Sequence, residues 1–174
     1  IGEVVEAMDG NDTIWANGGD DIIYGGNGQD IIFGVSGNNV INGEGGIDLL
    51  FGGTGNDNID GGADNDTIYA KAGNNILNGG INNDVIYVGT GRDAVDGGAD
   101  TDTLRFDGGT QRVVVNLGTT SLSYDSTSIA ANSFVNSWLT GGNTGSIQTG
   151  TVINVENVDG TSDSDTIRGN DSKN

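Results

Sequence analysis

Large aliphatic residues recur along this chain every nine positions. From residue 7 to residue 105 they are Ile14, Ile23, Ile32, Ile41, Leu50, Ile59, Ile68, Leu77, Ile86, Val95 and Leu104, without a gap. Two positions before each stands an acid or its amide: Asp12, Asp21, Asp30, Asn39, Asp48, Asp57, Asp66, Asn75, Asp84, Asp93 and Asp102. The full unit reads G-G-x-G-x-D-x-U-x, with U aliphatic, and is cleanest in residues 25–33 and 52–60. A fixed period decides an architecture before any local propensity does. The glycine-rich first half predicts a tight turn that uses φ > 0. Where the fourth-position glycine is lost the substitutes are Asp64, Asn82 and Asp100, the residue types that best tolerate the left-handed region after glycine. The last three residues predict a minimal strand. Alternation puts U on one face and its two neighbours on the other.

Turn, strand, turn, strand then closes one flattened coil of 18 residues. The predicted fold is all-β, a parallel β-roll or solenoid with two parallel sheets and the U residues between them. It occupies residues 7–105. Odd and even units fall on opposite turn edges, because one coil holds two units. The odd edge carries Asp12, Asp30, Asp48, Asp66, Asp84 and Asp102; the even edge alternates Asp21, Asn39, Asp57, Asn75 and Asp93. The odd sheet also predicts a row of outward rings, Trp15, Phe33, Phe51, Tyr69 and Tyr87, on neighbouring strands about 4.8 Å apart. With Ile31, Leu49 and Val85 beside it the row is apolar. Such patches are rarely left open to water, so a cover is expected. The first choice is the chain's own segment 106–157, folding back with Phe134, Val135, Trp138 or Leu139; a partner domain or a carbohydrate ligand are the other candidates.

Beyond the repeats, residues 106–159 form a non-repeat, β-rich capping segment. Residues 113–117 and 152–155 read as strands. Residues 140–150 read as a loop, and Ile129, Phe134, Val135, Trp138 and Leu139 are spaced to line one side of a short helix. Residues 160–174 resume the repeat, with Asp165 and Ile167 at the sixth and eighth positions.

Composition sharpens this picture. The 174 residues include 33 Gly and no Pro, Cys or His, and the net charge is −19. Nucleic acid is excluded as a partner by the lack of a basic patch, disulfides and thiolate chemistry by the lack of Cys. No apolar run reaches the ~20 residues of a membrane span. No signal peptide is visible, and the chain reads as a piece of a longer protein. Without His a Ser-His-Asp site is impossible, and the acids are spaced as a repeat rather than as a hydrolase pair. The unit's own activity is therefore expected to be non-enzymatic. One buried aliphatic per nine residues is a thin core, and glycine raises the entropy lost on folding. The charge opposes compaction as well.

The nonapeptide resembles the calcium-binding repeat of the RTX (repeat-in-toxin) family, over residues 7–105 and again near the C-terminus. The run 153–160 is similar to C-terminal regions of serralysin-type proteases, whose zinc motif H-E-x-x-H this chain lacks. The resemblance implies Ca²⁺ between stacked turns on each edge. The ligands would be the eleven sixth-position side chains and backbone carbonyls, among them those of Gly25, Asn27, Gly28, Gly43, Gly45, Gly52, Thr54, Gly61 and Ala63. A hard oxygen shell is what Ca²⁺ takes. Up to about nine ions are expected, five on the odd edge and four weaker ones on the even edge, where Asn39 or Asn75 removes a carboxylate from every pair.

The resemblance further implies a secreted bacterial module, exported unfolded by type I secretion and folded by calcium outside the cell. Its partners would be calcium and other domains of a parent chain. The alternative is a polysaccharide- or surface-binding module like those of mannuronan C-5 epimerases, with Trp15, Phe33, Phe51, Tyr69 and Tyr87 as the ligand platform.

Overall fold

A computed structural model describes residues 1–106, 113–116, 122–124, 127–129, 133–138, 146–155, 157–159 and 166–168. The repeats form twelve strands: β1 Val4–Glu6, β2 Thr13–Trp15, β3 Ile22–Asn27, β4 Ile31–Phe33, β5 Val40–Gly45, β6 Leu49–Thr54, β7 Asn58–Ala63, β8 Thr67–Ala72, β9 Ile76–Ile81, β10 Val85–Val88, β11 Ala94–Ala99 and β12 Thr103–Phe106. Odd-numbered strands pair in parallel in one sheet and even-numbered strands in the other. The partner of every residue is the equivalent one in the next coil, as in Ile23↔Ile41 and Ile32↔Leu50. This is the parallel β-roll of 18-residue coils that the period predicts. Among the described residues no helix is long and apolar enough to cross a membrane.

The core is the row of U residues. Ile23, Ile32, Ile41, Leu50, Ile59, Ile68 and Ile86 are fully buried. Ile14, in the first complete coil, keeps 8% of its surface exposed because fewer coils lie beyond it. Many strands are six residues long rather than three. The two residues that open each following unit keep the ladder running, as in Gly26↔Glu44 and Gly45↔Ala63.

The turn geometry repeats with the sequence. Every fourth position has φ > 0, and Asp64 (78°), Asn82 (79°) and Asp100 (82°) stand there in place of glycine, as their residue types predict. The second position is left-handed too, which the sequence does not announce. Met8, Asn17, Val35, Glu44 and Lys71 hold φ between 67° and 78° there. Coils stack backbone to backbone at this point. A Cβ on Gly26 would run into the Met8 carbonyl of the coil below. The left-handed turn is set by that approach, and the residue that lands there bears its strain.

The non-repeat segment departs from two expectations. Residues 127–129 and 133–138 are strands, not a helix: β13 Val113–Asn116, β14 Leu122–Tyr124, β15 Thr127–Ile129, β16 Ser133–Trp138, β17 Ser146–Ile153, β18 Asn157–Asp159 and β19 Thr166–Arg168. β14 and β15 pair as a separate hairpin. Ser133–Trp138 pairs antiparallel with both β13 and β17. Residues 146–150, read as loop, belong to β17, while Leu117, Leu139, 140–145 and Asp165 lie outside the described residues. The expected cover by Phe134, Val135, Trp138 or Leu139 rests on side chains that lie outside the described residues. β17 pairs with β11 and β18 with β12, so both lengthen the sheets at the C-terminal end. Val152 and Val155 are buried against the last coil. These strands cap the open end of the core and do not lie over the aromatic row.

The row itself forms a column. Trp15, Phe33, Phe51, Tyr69 and Tyr87 stack face to face, with centroids 4.0, 4.8, 4.9 and 4.3 Å apart. Arg105 ends the column, donating to the Tyr87 hydroxyl at 2.8 Å and to Asp159 at 2.7 Å. Lys71 Nζ sits 4.9 Å from the Tyr69 ring centre. Each ring shields its neighbour, and four of the five are half-buried. Only Trp15, at the column's end, is 59% exposed.

Candidate metal sites along the two turn edges

The sixth-position side chains point inward at the turn edges. Asp21, Asp30, Asn39, Asp48, Asp57, Asp66, Asn75, Asp84, Asp93 and Asp102 are all at least 98% buried, and Asp12 is partly so. The reason is local. The fourth-position residue turns the chain left-handed, and the sixth side chain falls under the turn. There its Oδ1 accepts a hydrogen bond from the sixth-position N–H of the preceding coil. Examples are Asp12 N–H to Asp30 (2.7 Å), Asp30 N–H to Asp48 (2.8 Å) and Asp66 N–H to Asp84 (2.8 Å).

The other carboxylate oxygen is left over. The Oδ2 atoms of Asp12, Asp21, Asp30, Asp48, Asp57, Asp66, Asp84 and Asp93 are buried and accept no hydrogen bond. Native proteins leave few such groups, and each calls for an explanation. Burial raises the carboxyls of Asp48 to about 6, Asp84 to about 7 and Asp66 to about 8. Neighbouring acids push these three further in the same direction, while the backbone N–H bonds pull the other way. Burial also raises Asp93 to about 6 and lifts Asp57, against hydrogen bonds from the Asn75 and Asn39 amides. Buried carboxylates that resist ionisation, Asp48, Asp66 and Asp84 on one edge and Asp57 and Asp93 on the other, are what cation sites look like before the cations are considered.

Several Oδ2 atoms share a hollow of the turn with the first-position glycine of their own unit and a first-position carbonyl of the next coil. A Cβ placed on Gly25 would lie 2.6 Å from Asp30 Oδ2 and 2.8 Å from the Gly43 carbonyl oxygen. On Gly61 it would lie 2.6 Å from Asp66 Oδ2 and 2.5 Å from the Gly79 oxygen. No Cβ fits at such distances, so glycine at the first position lets a carboxylate oxygen and a carbonyl oxygen come close together, and both are ligand types that Ca²⁺ takes. The residues present therefore fit calcium. When bound it would supply the positive charge that these carboxylates lack, held by Oδ2 and by first-position carbonyls. Among the described residues no three His, Cys, Asp or Glu side chains converge, so backbone oxygens must complete any shell.

Of the carbonyls that the resemblance implied, those of Gly43, Gly52 and Gly61 face the hollow of the preceding coil. Those of Asn27, Gly45, Thr54 and Ala63 each accept a backbone N–H, from Gly10, Gly28, Gly37 and Gly46. They keep one lone pair. Gly25 provides the hollow's wall, and the Gly28 carbonyl faces Gly46 of the next coil. The five rings stand on the odd sheet, away from these hollows. Their faces are taken up by one another, and the Tyr87 hydroxyl accepts from Arg105.

A ladder at the fifth position escaped the sequence reading. Asn38 N–H donates to Asp20 (2.7 Å), Asn56 N–H to Asn38 (2.9 Å), Asn74 N–H to Asn56 (2.7 Å) and Arg92 N–H to Asn74 (2.9 Å). The signal was present, as Asn38, Asn56 and Asn74 recur at 18 residues. These bonds close the outer rim of the even edge and hold the turns in register.

No curated protein and no solved structure matches the chain. The RTX calcium-binding nonapeptide repeat matches residues 2–32, 33–68, 42–77, 69–104 and 155–174, most of its length. With inward carboxylates repeating at the same period, the chain belongs to the RTX calcium-binding nonapeptide repeat family.

Proposed function

We propose that this chain is a non-catalytic module that folds on calcium and stabilises a longer exported protein. The observation that carries the reading is the double line of buried Oδ2 atoms without a hydrogen-bond partner. A metal-free roll must bury these groups either charged and unpaired or protonated; both disfavour the fold at neutral pH. Calcium removes that penalty only in the folded chain, because the two ligating turns meet only there. Repeats of this family are typical of secreted bacterial proteins. Extracellular calcium modules work at Kd of about 10⁻⁴–10⁻³ M, which would leave the chain unfolded inside a cell and folded outside.

Ten times Kd is worth roughly 1.4 kcal/mol per site, and several sites together switch a marginal domain. Circular dichroism of the full chain in chelator and then in millimolar Ca²⁺ tests the proposal. Strand signal that appears with calcium, with a half-point near millimolar, is expected. A cooperatively melting fold in chelator, unchanged by calcium, would refute it.

A further inference from the structure

Two hydrogen bonds can join neighbouring turns on an edge besides the buried ones at the sixth position. One runs from a fourth-position N–H to the third-position carbonyl of the next coil. The other runs from a fifth-position N–H to the fifth-position side chain of the preceding coil. On the even edge both are made at every junction from residue 16 to residue 93. Gly19, Gly37, Gly55 and Gly73 donate to the carbonyls of Ser36, Thr54, Ala72 and Thr90 at 2.8–3.2 Å. Beside them runs the unbroken ladder from Asp20 through Asn38, Asn56 and Asn74 to Arg92.

The odd edge starts in the same way, with Gly10 N–H on the Asn27 carbonyl and Gln29 N–H on the Asn11 side chain. Each of its next three junctions lacks one of the two bonds. Ile47 breaks the fifth-position ladder. Its side chain is 52% exposed and offers Asn65 no acceptor. Among the described residues neither the Ile47 nor the Asn65 N–H donates to a fifth-position side chain. The bonds from Gly28 to Gly45 (2.7 Å) and from Gly46 to Ala63 (3.1 Å) hold these two junctions. At the third the loss falls on the fourth position. Among the described residues no carbonyl accepts the Asp64 N–H, and the bond from Asn83 to Asn65 (2.9 Å) holds the junction.

The loss at Asp64 has a conformational cause. Fourth-position glycines hold φ between 111° and 142°, whereas Asp64, Asn82 and Asp100 stop at 78–82°. A Cβ bars the wider angle. Gly10, Gly28 and Gly46 make the bond to the next coil; Asp64 does not, and the Asn82 N–H turns to Asp100 Oδ2 at 3.2 Å.

From this asymmetry we infer that the roll opens locally along its odd edge, at the turns between residues 25 and 84, while the even edge stays closed as the hinge. Segments with fewer hydrogen bonds are the first to open in a folded chain. Opening there uncovers Asp30, Asp48, Asp66 and Asp84, which are otherwise at least 98% buried. The seam is thus the way in for water and ions. The inference rests on hydrogen bonds and not on the calcium reading above, so either can fail alone.

Amide hydrogen exchange by NMR on the full chain tests it, at the lowest calcium that keeps the chain folded. The sixth-position N–H groups make the same bond on both edges. On the odd edge these are Asp30 to Asp48, Asp48 to Asp66 and Asp66 to Asp84, all at 2.8 Å. On the even edge they are Asn39 to Asp57 and Asp57 to Asn75, at 2.8 and 2.9 Å. After correction for intrinsic rates the odd N–H groups should be about fivefold less protected, the ratio that one hydrogen bond is worth. Equal protection on the two edges, or greater protection on the odd edge, overturns the inference. Two variants locate the cause. Ile47→Asn offers the Asn65 N–H an acceptor and should raise protection of the Asp48 N–H. Asp64→Gly frees the turn to reach the glycine angle and should raise protection of the Asp66 N–H. No rise in either variant also overturns the inference, and the wild-type comparison decides it if a variant does not fold.

Discussion

Truncating the core at the middle of the roll links packing to calcium quantitatively. Leu50 is fully buried, with Ile32 and Ile68 at the same register on the neighbouring strands. Leu50→Ala removes that contact on both sides, and neighbouring coils cannot close the gap without breaking their ladders. A loss of about 3 kcal/mol is expected, inside the range for buried leucine. If folding is coupled to about five or six ions, each e-fold rise in calcium above Kd returns roughly 0.6 kcal/mol per ion. Restoring about 3 kcal/mol then takes only a ~2.5-fold rise in calcium.

The assay is the calcium half-point of folding, by far-ultraviolet circular dichroism, for wild type and variant side by side. A shift near 2.5-fold supports both the core and the coupling. A shift above tenfold would mean that only about two ions or fewer are coupled. A variant that loses thermal stability yet keeps the wild-type half-point would refute the link between core and metal.

Three further outcomes follow from the structure. Burial raises Asp48, Asp66, Asp84 and Asp93 to between about 6 and about 8 in the fold, from 3.8. Their protonated forms favour folding, so the metal-free roll should gain stability as pH falls from about 8 to about 4. Melting in chelator at three pH values checks this, and greater stability at pH 8 than at pH 5 would contradict it. Val35 is β-branched at φ 68°, so Val35→Gly should raise stability by about 1 kcal/mol in calcium, after the entropy cost of glycine; a lower melting temperature would argue against strain there. Phe51→Ala breaks two stacking contacts, at 4.8 and 4.9 Å. It should cost about 1–3 kcal/mol, read by denaturant melts, whereas a neutral result would mean that the column contributes nothing.

The parts legible in the sequence are those where one residue type meets one physical demand in every coil. Ile23, Ile41 and Ile59 must be aliphatic because both sheets close over them, and Asp64, Asn82 and Asp100 must tolerate φ > 0. The illegible parts depend on a neighbour 18 residues away. Val35 and Met8 look like ordinary outward residues until the coil stacked on them fixes their φ. Asn39 reads as a weakened ligand until the Asp21 N–H shows which end of the amide faces inward. The segment after Phe106 carries no period, so its spacing of Phe134, Val135 and Trp138 suits a helix as well as the strand it forms.

The bond from Asn154 to Asp96 joins residues 58 apart, where its counterpart from Asn78 to Asp60 joins residues 18 apart. Both links have the same atoms and nearly the same length. The roll therefore behaves as a one-dimensional lattice whose layers recognise only the layer beneath. What matters to a layer is a hydrophobe such as Val152 under the sheet and a carbonyl such as that of Asn154 over the last hollow, not the length of chain spent in arriving. Loops, and whole additional segments, can be spliced in at an edge as long as the chain returns in phase, and a lesion in one layer is felt chiefly by its two neighbours.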